Sequence, residues 1–176
     1  MAAKGNDTAE EHSVMVTNCA AEQLHQVQEL VGMLTDAQYV HRPEGASSIA
    51  GHVRHCVDHY TAILAGIDSG TVEYDRRVRG TALEKDRSVA LDRLGEVRSE
   101  VRGLAARPLD RPVEVISVVD SDGSLAATRS TAGRELLFVS HHTVHHIAVM
   151  VPMARTLGVR VPERFGYAPA TLACLR

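Results

Sequence analysis

The sequence has few aromatic residues and no tryptophan. Of its 176 residues only two are Phe and four are Tyr, and aromatic residues make up 3% of the chain. Proteins that bind single-stranded nucleic acid stack successive bases on aromatic rings, which this chain cannot supply in number. Its formal net charge of -3 gives no overall attraction to a phosphate backbone. We therefore expect no nucleic-acid partner.

Cysteines and long apolar runs are also scarce. Cys19, Cys56 and Cys174 form no CxxC pair, and their number is odd. Neither a disulfide framework nor a cysteine-based zinc site is therefore indicated. No run approaches the ~18 apolar residues of a membrane span, and the N-terminus lacks the apolar stretch of a signal peptide. These absences predict a cytoplasmic protein with reduced thiols and no membrane partner.

What the sequence does contain is a helical apolar pattern. Hydrophobic residues make up 44% and charged residues 23%, which is typical of a folded domain. Apolar residues spaced by three and four predict four amphipathic helices. These begin at Ser13, at about Ser48, after Thr81 and after Thr131. Residues 1–12 are polar and without a period, so a disordered N-terminus is expected there, with residues 13–176 forming one domain.

The connections between the predicted helices complete the fold prediction. Residues 68–80 read as a loop of about a dozen residues. Between the third and fourth helices β-branched residues alternate with others, and Asp122 with Gly123 offers a turn, so a short hairpin is expected. Pro152 should kink the fourth helix or end it early. The predicted fold is all-α, a four-helix bundle with a short β-hairpin insertion between helices three and four.

Histidines are concentrated in the second and fourth predicted helices. Seven of the ten lie there: His52, His55, His59, His141, His142, His145 and His146. Residues four apart on a helix have Cβ atoms about 5–6 Å apart, so two such imidazoles can bind one metal ion. Both His141 with His145 and His142 with His146 have this spacing. The two pairs lie on faces about 100° apart, so only one pair can point to the bundle axis.

The neighbouring residues favour the second pair. Phe138 and Val149 flank His142 and His146 on one stripe, and Glu135 lies two turns upstream as a possible hydrogen-bond acceptor for a ligand. The other stripe also has apolar residues, so this preference is modest. His55, central among the histidines of the second helix, is the natural third ligand. Three neutral nitrogen donors leave a coordination position open, as in catalytic sites, and do not identify the metal.

The segments "SIAGHVRH", from Ser48 to His55, and "HTVHH", from His142 to His146, resemble motifs of the DinB/YfiT-like metal-binding four-helix-bundle family. The resemblance implies that His55, His142 and His146 bind a divalent ion such as zinc, nickel, iron or manganese. The resemblance also implies a homodimer. The family includes S-transferases and isomerases that use a low-molecular-weight thiol. Many relatives continue the second motif with Arg-Gly-Gln, whereas this chain has Ile147, Ala148 and Val149.

Three functions fit such a site. In the first, the metal holds a small thiol as thiolate for attack on an electrophilic small-molecule substrate. In the second, the metal activates water for hydrolysis, and Glu135, Asp58 or Asp75 is the nearby acid that could act as base. In the third, the protein binds metal without catalysis. Glu135 and Asp75 are thus the candidate catalytic residues.

Substrate-binding candidates lie in the loop before the third helix. Arg76, Arg77 and Arg79 could clamp carboxylates of a substrate or thiol, because a guanidinium binds a carboxylate through two parallel hydrogen bonds. Tyr74 could hydrogen-bond a bound ligand. The alternative for the arginines is a solvated charge cluster.

Overall fold

The computed structural model describes residues 4–76 and 78–175. This part of the chain is mostly helical and carries a small three-stranded sheet. The helices are α1 (Lys4–Gly32), α2 (Asp36–Val40), α3 (Ile49–Ser69), α4 (Arg87–Gly103), α5 (Ala132–Thr156) and α6 (Pro169–Cys174). The strands are β1 (Thr71–Glu73), β2 (Pro112–Val118) and β3 (Leu125–Thr131).

The four long helices pack in a closed ring. Helix α1 contacts α4 and α5, and α3 contacts the same two helices from the other side. Each contributes fully buried aliphatic side chains to the core, among them Leu24, Ile63, Leu94 and Leu136. Over the described residues, none of the helices combines the length and apolar character that crossing a bilayer requires.

Polar caps fix where α3 and α5 begin. The Ser48 side chain accepts a hydrogen bond from the Gly51 N–H, and the Thr131 side chain accepts one from the Arg134 N–H. Both lie where the sequence predicts these helices to begin, and they satisfy backbone donors that a helix leaves unpaired. The helix start predicted directly after Thr81 is wrong, because residues 82–84 form a 3-10 turn and Asp86 caps α4 instead.

Two further boundaries differ from the sequence pattern. The disordered segment expected over residues 1–12 is wrong for residues 4–12, which form the start of α1. After Gly5 this stretch has neither glycine nor proline, and Glu10 and Glu11 are good helix formers, so local propensity extends the helix without an apolar period. Helix α5 also continues past Pro152 to Thr156, so the early end is wrong.

The sheet joins the loop after α3 to the segment before α5. Strand β2 pairs antiparallel with β3 and parallel with β1, with Val72 opposite Val115. The predicted loop over residues 68–80 therefore contains a short strand. Val72 is fully buried against α3, and this contact fixes the position of Tyr74 directly after β1.

Candidate metal centre

Three imidazoles converge between α3 and α5. The Nε2 atom of His142 lies 2.8 Å from Nε2 of His55 and 3.1 Å from Nε2 of His146. One ligand atom from each ring lies within 4.8 Å of the others, and no other His, Cys, Asp or Glu of the described chain joins this group. His142 and His146 are one turn apart on α5, and His55 faces them from α3, so two packed helices form the cluster.

The donor set fits a metal ion. Around a tetrahedral zinc with Zn–N bonds of 2.0–2.1 Å, two nitrogen ligands lie about 3.3 Å apart. The observed separations of 2.8 and 3.1 Å therefore need only a slight opening of the cluster.

The protonation state of His146 also suits metal binding. His146 is buried, with 9% of its surface exposed. Burial is the largest cause that lowers the pKa of His146 to about 3, and the neighbouring imidazoles of His142 and His52 contribute to the same shift. The ring is thus neutral at pH 7, which is the form that binds metal.

The shifted pKa of His146 predicts how the metal-free protein responds to acid. Below its ordinary pKa of 6.5 the ring is protonated in the unfolded chain, but in the folded protein it stays neutral down to about pH 3. The free energy of unfolding should therefore fall as the pH drops from about 6.5 towards 3. Thermal unfolding in the presence of a chelator, measured from pH 7 to pH 5, should show this loss. In His146→Phe the decline should be shallower, and equal slopes would contradict the assignment.

Two further histidines surround the cluster. The Nδ1 atom of His52 lies 3.0 Å from Nδ1 of His146, on the side of that ring away from His142. Burial lowers the pKa of His52, and His145 lowers it further. His59 is buried, with its Nδ1 atom 3.1 Å from the His55 carbonyl oxygen and its ring stacked 4.6 Å from that of His142.

Tyr74 and Glu135 form a buried network beside this stack. The Tyr74 ring stacks 5.1 Å from that of His59, and the Tyr74 hydroxyl donates to Glu135 Oε2 at 2.9 Å. The other Glu135 oxygen accepts from Ser130 Oγ at 2.6 Å and pairs with Arg134 at 3.2 Å. Both carboxylate oxygens are thus engaged with groups other than the histidines. Glu135 supports the cluster through Tyr74 and not as the direct histidine acceptor that its sequence position suggested.

The remaining predicted site residues lie outside the cluster. The side chain of Arg76 is 85% exposed and pairs with Glu73, and Arg79 is also exposed. Arg77 lies outside the described residues. The Asp75 carboxylate accepts a hydrogen bond from the Val118 N–H at 2.8 Å, so it ties the end of β1 to β2. Asp58 pairs with Arg54 at 2.8 Å.

Sequence reasoning missed the places of His52 and His59. Their spacing of three and four residues around His55 puts all three on one helix face, which was visible in the sequence. The spacing does not predict how α3 is rotated about its own axis relative to α5. That rotation decides which imidazole enters the cluster and which two flank it.

The fold and this site define a class: helical proteins in which histidines of two packed helices form an open three-nitrogen cluster. The DinB superfamily model matches residues 20–150. The chain belongs to this superfamily. The matched region includes every histidine of the cluster.

One solved structure agrees with this assignment at the level of the fold, and one further relative is similar in sequence. The DinB-like protein YjoA of Bacillus subtilis superimposes with a TM-score of 0.62 over 88% of this chain and 99% of its own, at 17% identity. FK506-binding protein 5 of Rhizopus delemar is 34% identical over 102 residues, which are 57% of this chain and 26% of that protein. The chain thus spans about a quarter of the length of that relative.

Proposed function

We propose that His55, His142 and His146 bind one divalent cation, and that the protein uses it to activate a small thiol for transfer to an electrophilic small molecule. The observation that carries this proposal is the convergence of three imidazole nitrogens within 4.8 Å of one another. Zinc, nickel, iron and manganese are all candidates, because an imidazole set does not select among them. A cation held there would supply positive charge that favours the reactive thiolate form of a thiol.

The side chains of this protein perform the remaining tasks. His55, His142 and His146 supply three donors and leave a fourth coordination position for a ligand. His59 and Phe138 flank His142, with ring centroids 4.6 and 5.8 Å from it. These rings restrict how the imidazole can turn, so its nitrogen stays directed at the other two.

The surroundings support thiol chemistry over hydrolysis. Hydrolysis benefits from a general base that can accept a proton from water. Glu135 already accepts hydrogen bonds from Tyr74 and Ser130, and Asp75 accepts one from the Val118 N–H. A thiol needs less help from a base, because a metal held there would deprotonate a coordinating thiol outright, whereas it would lower the pKa of bound water only to about 7.

A thiol-dependence assay tests this proposal. Purified protein, loaded in turn with Zn²⁺, Ni²⁺, Mn²⁺ or Fe²⁺, is incubated with 1-chloro-2,4-dinitrobenzene and with cysteine, glutathione or coenzyme A. We expect the rate of thioether formation to rise only when both a metal and a thiol are present. His142→Ala, which lacks a cluster nitrogen, serves as the matched control.

The other outcomes are equally informative. Turnover of an ester panel without any thiol would replace the proposal with the hydrolase alternative. Tight metal binding without either activity would leave a metal-binding protein that is not an enzyme. Equal rates for the loaded protein and for His142→Ala would contradict a role for the cluster.

The arrangement of the helices, the extent of the domain, the cellular location and the oligomeric state stay predictions. We propose that α1, α3, α4 and α5 form a four-helix bundle of the DinB kind, with β2 and β3 as its hairpin insertion, and that residues 13–176 are one domain. We likewise propose a cytoplasmic location and a homodimer, for which size-exclusion chromatography with light scattering is the direct measurement.

A further inference from the structure

His52 contacts the cluster from outside, through the far side of His146. The Nε2 atom of His146 faces His142 Nε2 at 3.1 Å, and its other ring nitrogen, Nδ1, lies 3.0 Å from His52 Nδ1. A separation of 3.0 Å is that of a hydrogen bond, and between two ring nitrogens such a bond needs one proton. The proton can sit on either Nδ1 atom.

The cluster decides between the two. A nitrogen that donates its lone pair to a metal carries no proton, so a neutral His146 that binds through Nε2 must carry its proton on Nδ1. We propose that His52 is a positioning residue, which accepts a hydrogen bond from His146 Nδ1–H and so keeps the Nε2 lone pair of His146 directed at the cluster. This inference rests on the proposed metal site, but its tautomer can be measured without metal.

His52 is not itself a fourth ligand in this geometry. Among the described residues the group of at least three ligand atoms that all lie within 4.8 Å of one another consists of His55, His142 and His146, without His52. His52 lies one turn before His55 on α3, and its Nδ1 atom meets the outer edge of His146. Partners that hold a ligand histidine in this way commonly change metal affinity by 10–100-fold when they are replaced.

The chain offers a matched control in His145. Its ring lies 5.3 Å from that of His146, close to the 5.2 Å between the rings of His52 and His146. His145 is exposed, and the contact is between ring faces and edges, without a nitrogen pair. Substitution of His145 therefore tests for a general effect of losing an imidazole next to His146.

The experiment compares His52→Phe, His52→Asn and His145→Phe with the unaltered protein. Zn²⁺ affinity is measured by competition with a chromophoric chelator. We expect His52→Phe to bind Zn²⁺ about 10–100-fold more weakly. His52→Asn should recover most of the affinity, because the Asn side-chain oxygen can take the place of the imidazole Nδ1 atom as acceptor. His145→Phe should bind like the unaltered protein.

A second measurement is made on the metal-free protein. Nitrogen-15 spectra of the histidine rings should place the His146 proton on Nδ1 in the unaltered protein and in His52→Asn, and should show loss of this preference in His52→Phe. A proton on Nε2 of His146 in the unaltered protein would overturn the inference, and so would equal Zn²⁺ affinities for His52→Phe and His145→Phe. If the unaltered protein bound no Zn²⁺, the proposed function would fail, and the tautomer would still decide the role of His52.

Discussion

Alanine in place of His142 or His146 is expected to abolish metal binding, whereas His141→Ala is expected to leave it intact. Each of the first two changes removes one of three converging nitrogens, so two donors remain in a site for which the described residues offer no fourth ligand. His141 is exposed. It directly precedes His142, and its side chain leaves α5 in a direction about 100° away from that of His142. All three variants therefore remove an imidazole from two neighbouring turns of α5, and His141→Ala differs from the other two in the face of the helix that it alters.

The measurement is the molar ratio of metal to protein. Each variant is incubated with one equivalent of Zn²⁺, dialysed, and analysed by elemental mass spectrometry. We expect a ratio near one for the unaltered protein and for His141→Ala, and near zero for the other two. Circular dichroism of each variant shows whether the helices persist. The opposite order, with metal lost in His141→Ala and kept in His146→Ala, would show that the metal binds on the His141 face of α5 and would contradict the prediction.

The pair of α5 histidines that converges with His55 is the pair that the sequence favoured, because Phe138 and Val149 flank it on one stripe. In the structure His142 and His146 turn towards α3. The choice of His55 followed from its central place among three histidines. Spacing within each of the two helices thus predicted which rings converge, since each of these inferences compares residues of one helix within about three turns.

The role of Glu135 could not be predicted in the same way. Its spacing from His142 suggested a direct acceptor, but in the structure Tyr74, directly after β1, and Ser130 in β3 occupy its oxygens. Ser130 is near Glu135 in sequence, but Tyr74 is distant from it, and both are positioned by the sheet. Their positions depend on the packing of the sheet against α3 and α5, which no local pattern contains.

The start of helix α1 and the existence of strand β1 could not be predicted from the apolar pattern of the sequence. An apolar period predicts where a helix is buried, so it says little about residues 4–12, which precede that pattern and belong to the same helix. Strand β1 has three residues, too few for an alternating pattern to be recognised. Its strand conformation comes from pairing with β2, which is a property of the folded chain.

The close contact between α3 and β1 gives the largest expected effect on stability. A Cβ atom added at Gly66 would overlap Val72 Cγ2 and would lie 3.0 Å from the Thr71 carbonyl oxygen and 3.2 Å from Val72 Cα. The last two are backbone atoms, so a rotation of the Val72 side chain that relieved the overlap with Cγ2 would leave both of these tight contacts in place. Glycine at this position lets the strand approach the helix closely enough to place Tyr74 beside His59.

Gly66→Ala is therefore expected to destabilise the protein, although alanine favours a helix. Overpacking costs about 1–3 kcal/mol, and the gain in helix propensity offsets about 0.5–1 kcal/mol of it. Gly95→Ala is the matched control, because Gly95 also lies inside a helix, and an added Cβ there meets only the end of the Gln28 side chain at 3.4 Å. That variant should gain about 0.5–1 kcal/mol.

Thermal unfolding of the two variants distinguishes packing from propensity. For a domain of this size 1 kcal/mol corresponds to about 2–4 °C in Tm. Gly66→Ala should lower Tm and Gly95→Ala should raise it, so the same chemical change acts with opposite sign in two helices. If both variants raised Tm, helix propensity would dominate at Gly66. The strand would then yield to a Cβ atom, and the position of Tyr74 beside the histidines would not depend on this contact.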